Sequence, residues 1–438
     1  MDEQTGVFAN STSDDKEVPM EEMKPVPWLG DPAHARWLEG HSDGLLRFGA
    51  ASALPTGFGN LSASGQLDNS DPAGYSDLYV TCRMIHSFSL GALQGRPGCA
   101  NLVDHGLVSL REGFADSVND GWYTSINADG PVDRSKQAYS HAFVLLATSS
   151  ATVAGRPGAA GLLQHAMAVH LDKFWREDEG MALEGWDESW TKSEDYRGVN
   201  ANMHTVEAYL AVSDATGDPA WRSRALRVLK RVMGYAADEH WRIPEHFTST
   251  WDVLPDYNEY HKAHPFRPFG ATGGHALEWA RLALHARAAE VAAGAPEVEV
   301  AWLLDGAVSL FDAAVRDSWS VDGADGFVYT VDFEGAPVVR ERMHWVVTEA
   351  IGAAAALWRA TSEARFGEWY AVWWDHAAQY FLDGSGSWIH ELGPDNEPSY
   401  TVWQGKSDIY HAIQAALIPR LPLAPTLASA LRQGRLDT

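Results

Sequence analysis

The sequence predicts an all-α protein, an (α/α)6 toroid of six helical hairpins with short β-hairpin-like loops on one rim. Three observations carry that expectation. A tight-turn signature, GRPG at Gly95–Gly98, returns at Gly155–Gly158, 60 residues later, and again as GDP at Gly217–Pro219 after a further 62. Glycine- or tryptophan-marked segments recur around Phe58, Trp122, Met181, Trp241, Phe327 and Trp388, at spacings of 64, 59, 60, 86 and 61 residues. The loops between the periodic segments are dense in His, Trp and Arg, where an open helical solenoid used for protein binding would keep them uniform.

Each turn signature stands between two segments of helical apolar periodicity, such as AFVLLATSSATVA before Gly155 and AAGLLQHAMAVHL after it. The glycine is expected to end one helix in a left-handed cap and the proline to open the next in its first turn. Segments such as DGWYTSINADGPV, DGFVYTVDFEGAPV and GSWIHELGPDNEPSY read as β-turn pieces. The one long interval holds an insertion, roughly Thr248 to Ala271, rich in Pro, Tyr, His and Phe. Six units of helix, strand-like loop and helix follow.

Composition narrows the function classes. The chain has 438 residues, 45% of them hydrophobic, enough for one large core. A formal net charge of −26 argues against a nucleic-acid partner, which needs clustered cations. The 19 tryptophans fit core packing, and some of them fit a surface that holds sugar rings. Only Cys82 and Cys99 are present, so no disulfide scaffold or zinc knuckle is expected. Residues 1–27 read as an acidic, loosely ordered tail without signal-peptide features, and residues 28–438 as one barrel domain. No stretch is apolar enough for a membrane span, and a cytoplasmic location is expected. A homo-oligomer is compatible with the sequence.

Candidate chemistry gathers where helices start. In GGHALEWARLALHA, His275 and Glu278 stand at i and i+3 on one helical face. The same pair recurs as His204 and Glu207 in NANMHTVEAYL. Imidazoles beside carboxylates suit acid–base work, and they equally suit metal ligation. In WQGKSDIYHAIQAAL, Trp403, Asp408, Tyr410 and His411 precede or open the last apolar helix. Arg83 lies among apolar residues in LYVTCRMIHSFSL, where a charge is costly unless paired or presented to a cavity. Arg197 and Arg267 are further candidates. No dinucleotide, Walker, nucleophile-elbow or HExxH motif occurs. Carboxylates beside an aromatic, at Trp186, Asp187, Glu188 and Glu245, keep a glycosidase open as a rival.

At SKQAYSHAF from Ser135, YRGVNANMH from Tyr196, RPFGATGGHALEW from Arg267 and GKSDIYH from Gly405, the chain resembles the N-acylglucosamine 2-epimerase superfamily. PTGFGNL at Pro55 and DHGLVSL at Asp104 extend the resemblance, which covers about His34 to Leu421 and is closest to the mannose isomerase and sulfoquinovose isomerase branch. It implies an (α/α)6 barrel and a cofactor-free, metal-free aldose–ketose isomerisation of a monosaccharide through a cis-enediol. By resemblance, His275 and His411 hold the acid/base positions, Glu278 supports His275, and Arg83, His204 and Arg267 bind substrate oxygens. Trp403, Asp408 and His390 are expected beside them. The sulfoquinovose enzymes carry Gln where His390 and Ser407 stand here, which favours interconversion of mannose and fructose.

Overall fold

The computed structural model describes residues 28–68 and 74–438. The expected acidic tail, residues 1–27, lies outside the described residues. Twelve helices form two concentric rings. The outer ring holds α1 (Pro32–Gly49), α3 (Cys99–Val108), α5 (Ala159–Val169), α7 (Pro219–Asp238), α9 (Ala301–Ser318) and α11 (Ala364–His376). The inner ring holds α2 (Leu78–Leu93), α4 (Ala138–Val153), α6 (Val199–Thr216), α8 (Gly273–Ala292), α10 (His344–Thr361) and α12 (Tyr410–Leu417).

The two rings differ as their sequences do. Along α4 every residue from Ser140 to Ala151 is buried, because an inner helix meets protein on all sides. Along α7 only one stripe is buried, including Trp221, Ala225, Val228, Leu229, Val232 and Ala236. Five inner helices pack on the outer helix that follows them. The last one, α12, packs on α1, so the sixth hairpin is made from the two ends of the chain. A thirteenth helix, α13 (Leu427–Arg432), lies across α2, α4 and α6.

The turns confirm the repeat and correct one detail. Gly217 caps α6 in the left-handed region, Asp218 caps the next helix by accepting from the Ala220 amide, and Pro219 is its first residue. In both GRPG turns the proline precedes the helix instead. Gly98 and Gly158, at φ of +85° and +79°, stand between Pro97 or Pro157 and the first helical residue. The second glycine makes the reversal that the proline was expected to make.

Short strands fix the level at which inner helices begin. Ser76–Asp77, Lys136–Gln137, Tyr196–Gly198, Ala271–Thr272 and Arg342–Met343 each run directly into an inner helix. Each pairs antiparallel with a strand from the loop beyond the next outer helix. For α12 the same task falls to a bridge between Leu61 and Lys406, which joins the first loop to the last. The six inner-helix starts therefore share one rim. The insertion spans the residues between the His246–Thr248 and Ala271–Thr272 strands.

Most of the tryptophans serve packing. Trp122, Trp221, Trp279, Trp373, Trp374 and Trp388 are fully buried. Cys82 and Cys99 are buried free thiols. Among the described residues no helix is long and apolar enough to cross a membrane.

Helix contact between α2 and α3 depends on Gly106, where an added Cβ would sit 2.3 Å from Ile85 Cγ1. Gly106→Leu is expected to cost about 1–3 kcal/mol by overpacking. Thermal unfolding followed by circular dichroism should show a lowered midpoint with the helical spectrum kept.

Candidate active site

A cavity with about 570 Å³ of empty space, including its mouth, opens at the shared rim. Its size is in the range of small-molecule sites. Because the inner helices start together, side chains from their first two turns converge there. Arg83, Tyr139, His204, His275, Glu278, His344, Trp345 and His411 reach it from helices, and His390, Trp403 and Asp408 from loops. Of the residues expected to act on or bind the substrate, His275, His411, Glu278, Arg83, His204, Trp403, Asp408 and His390 line this cavity and Arg267 does not; the further candidates Glu207, Tyr410, Arg197 and Glu245 lie outside its lining.

Two histidines have the same arrangement. His275 Nδ1 lies 2.9 Å from Glu245 Oε1, and His411 Nδ1 lies 2.9 Å from Glu349 Oε1. A carboxylate only accepts, so each Nδ1 carries the proton and each Nε2 is left with its lone pair. The Trp345 ring lies against both imidazoles, at centroid distances of 5.1 Å and 6.0 Å. This corrects the role implied for Glu278. His275 takes its carboxylate from Glu245, 30 residues earlier, and Glu278 instead accepts from Arg281 Nη2 at 3.3 Å.

Among the described residues, Arg83 is the one Lys or Arg that lines the cavity. It donates to Asp408 Oδ2 at 3.0 Å and to the Tyr139 hydroxyl at 2.8 Å. Burial opposes its charge, but Tyr139 and Asp408 hold its pKa above the ordinary value. Burial likewise opposes ionisation of Asp408, and Arg83 and His411 overcome it, so its pKa is lowered. Asp408 also accepts from the Tyr410 amide at 2.9 Å, which anchors the start of α12. Lys406 is spent on Asp383 and Ser387.

Arg267 is the second correction. It is clamped by Glu194 at 2.7 Å and Glu184 at 3.4 Å, and lies 4.1 Å over the Tyr196 ring. It anchors the insertion rather than lining the cavity. Its neighbour Phe266 does reach in, edge-on to Tyr79, Tyr139 and Trp403 at 5.8, 5.7 and 5.1 Å. The mouth is thus walled by rings from the first, second and last repeats and the insertion. Arg197 is held by the carbonyls of Glu194 and Tyr196.

Sequence reasoning missed His344, Trp345 and Glu349. His344 is the first residue of α10, directly after its leading strand, and His411 is the second residue of α12, so alignment of the repeats on their helix starts was the available signal. His344 stacks on His390 at 3.8 Å and 14°. The pair Glu349 and His411 spans 62 residues and leaves no local pattern.

Below the cavity lies a buried ionic cluster. Arg281 donates Nε to Glu349 at 2.9 Å and Nη2 to Glu278 at 3.3 Å. Glu207 accepts from the Tyr410 hydroxyl and from Gln414 at 3.0 Å. The sets His204, Glu207, Glu278 and Glu278, Glu349, His411 have the spacing of metal ligands. Arg281 already stands on Glu278 and Glu349, His411 points its Nδ1 proton at Glu349, and Glu207 is taken by Tyr410 and Gln414, so the donors do not suit a cation. On the far side of the cluster is a second cavity, bounded by His86, Glu207, Arg281, His285 and the start of α13. The carboxylates that kept a glycosidase open are dispersed: Glu188 pairs with Arg134 on the surface, and Glu245 is committed to His275.

Residues 57–415 match the family N-acylglucosamine 2-epimerase (GlcNAc 2-epimerase). The chain is 50% identical over 409 residues to the D-mannose isomerase of Thermobifida fusca, covering 92% of this chain and 98% of that protein. It is 48% identical over 407 residues to the D-mannose isomerase of Pseudomonas cannabina pv. alisalensis, covering 92% and 97%. A crystal structure of a D-mannose isomerase superposes with a TM-score of 0.80 at 27% identity, covering 89% of this chain and 99% of that one.

Burial lowers the pKa of His204 and His344 to about 4 and that of His390 and His411 well below the ordinary value. In the unfolded chain these groups take protons near pH 6.5. Between that pH and about 4, the unfolded state therefore binds more protons than the folded one, and stability falls as pH falls. Imidazole NMR signals from these four residues should stay neutral at pH 6, while denaturant midpoints drop steadily from pH 7 to 5. Titration of the four near pH 6.5 in the folded protein would contradict this.

Proposed function

We propose the interconversion of D-mannose and D-fructose for this chain, which belongs to the N-acylglucosamine 2-epimerase family. The observation that carries the reading is the pair of buried histidines, each with its Nδ1 proton on a glutamate and both against one tryptophan in one cavity. The near-50% identity to two D-mannose isomerases over almost their whole length supports the same reaction.

The chemistry follows from what these groups do best. His275 and His411 are the acid/base pair. Nε2 of one takes the proton from C2 of the open-chain aldose, which leaves the cis-enediol framework with its negative charge on O1. The Nε2 lone pair of the other takes the O2 proton and passes it to O1, and return of the first proton to C1 gives the ketose. Imidazole can serve in both directions near neutrality. Glu245 and Glu349 are positioning residues: they fix the tautomer and strengthen each Nε2 as a base. Oxyanion character on O1 and O2 is met by donors, the Arg83 guanidinium and the His204 imidazole. The aromatic rings of Phe266, Trp345 and Trp403 in the wall suit the C–H faces of a sugar.

The single cation in the wall is neutralised by Asp408, which supports an uncharged hexose over a sulfonated one. Among the described residues, a sulfonate would find no unpaired Lys or Arg in the wall to meet it, in a protein that is acidic overall.

Carbon-13 NMR of the enzyme with D-mannose should show D-fructose, and activity should persist after exhaustive chelation. His275→Ala and His411→Ala are each expected to lower kcat about 10²–10⁴-fold. Glu349→Gln should lower kcat with little change in KM, because it disturbs His411 and touches no sugar. Failure to convert mannose, or restoration of a chelated enzyme by a divalent metal, would overturn the reading.

A further inference from the structure

Three carboxylates from three inner helices, Glu207 on α6, Glu278 on α8 and Glu349 on α10, meet around one guanidinium, Arg281. Their exposures are 8%, 1% and 2%, and that of Arg281 is 3%. Three full negative charges and one positive charge are not stable together at that depth. One proton must therefore be resident among them, and the hydrogen bonds say where. Glu207 accepts from Tyr410 and Gln414 on separate oxygens. Glu349 accepts from His411 on one oxygen and Arg281 on the other, both at 2.9 Å. Glu278 has Arg281 Nη2 alone, at 3.3 Å. The carboxylate with the weakest set of donors is the one to be neutral.

We propose that Glu278 is a neutral carboxylic acid in the resting enzyme and that its O–H acts as a positioning donor for His204. Nδ1 of His204 is buried without a hydrogen-bond partner, and it lies 3.8 Å from Glu278 Oε1. A hydrogen bond there needs the separation to shorten to about 2.7–3.2 Å, with the Arg281 contact kept on the second lone pair of the same oxygen. Glu207 Oε2 is equally distant from this nitrogen, but Glu207, held ionised by the Tyr410 and Gln414 donors, can only accept and has no proton to give. With Nδ1 accepting from Glu278, the imidazole proton stays on Nε2. His204 then presents an N–H, not a lone pair, and is a donor to a sugar oxygen rather than a third base. This catalytic meaning rests on the isomerase reading above.

The groups facing Glu278 are Arg281 on its own helix, Glu349 on α10, Glu207 and His204 on α6, Arg83 on α2, Tyr139 on α4 and Tyr410 on α12. The same balance appears in its acidity. Burial and the nearby Glu349 charge raise the Glu278 pKa well above the usual range, against the pull of Arg281. The active form is the protonated one, so activity is retained at neutral pH and lost as pH rises through that raised pKa.

Two measurements test the assignment. Difference infrared spectroscopy on protein with carbon-13 glutamate should show one protonated carboxyl at pH 7 in wild type, and Glu278→Gln should lack it. The second is the pH profile of mannose isomerisation. Glu278→Gln, whose amide also donates, should keep kcat/KM within about tenfold and lose the alkaline fall of wild type. Glu278→Ala, which leaves Nδ1 unpaired, should fall about 10²-fold or more. A protonated carboxyl that survives in Glu278→Gln would overturn the proposal. So would equal losses in the Gln and Ala variants. If wild type converted no mannose, the isomerase reading would fall, and the infrared band would still decide where the proton sits.

Discussion

The Arg281 guanidinium is the interaction on which the site depends. It lies under the cavity and joins α8 to α10 through Glu349, whose other oxygen takes the proton of His411 on α12. Three inner helices are thus tied by two hydrogen bonds at one carboxylate. Taking away the guanidinium would leave buried carboxylates facing one another, at a cost of about 3–5 kcal/mol for an orphaned buried charge. The cluster is therefore poor ground for drift. Its members can change little without moving the imidazole that they aim.

The rim is the second ordering principle. Inner helices begin at a common level because each is led in by a strand that pairs with the next loop. This places six helix starts around one mouth, each with the positive end of its dipole toward it, although the first amides of α2, α4, α6, α10 and α12 are already bonded to loop oxygens. An enediol carrying partial negative charge benefits from that field. The chain as a whole is strongly acidic, at −26, so the local favour comes from backbone orientation and one paired arginine rather than from net charge.

Much of this was legible in the sequence, and the illegible part has a physical cause. The turn signatures and the sixty-residue period give the ring of hairpins, because every repeat must solve the same packing problem with the same glycine turns. His204, His275 and His411 stand out because each lies near a helix start after a polar loop. Their partners are another matter. The His-x-x-Glu spacing in α8 suggests a local pair between His275 and Glu278, yet the imidazole turns toward the loop carrying Glu245, while Glu278 turns down toward Arg281. Adjacency on a helix face permits a contact and does not choose it. Arg267 misleads for a related reason. It sits in a motif-rich segment, but the residue beside it, Phe266, faces the cavity while the guanidinium holds the insertion in place.

The closing of the ring by the two chain ends has a consequence for how the molecule comes into being. Outer helix α1 emerges first during synthesis, and its partner α12 emerges among the last residues. Until then α1 and α2 have no neighbour on one side, and contacts across more than three hundred and fifty residues must wait. His411, Asp408 and the strand bridge at Lys406 arrive with that helix. Arg83 is left without its carboxylate, and Glu349 without its imidazole, in every shorter chain. Completion of the fold and assembly of the reacting groups are a single event, so a truncated or still-growing chain has no partial activity to lose.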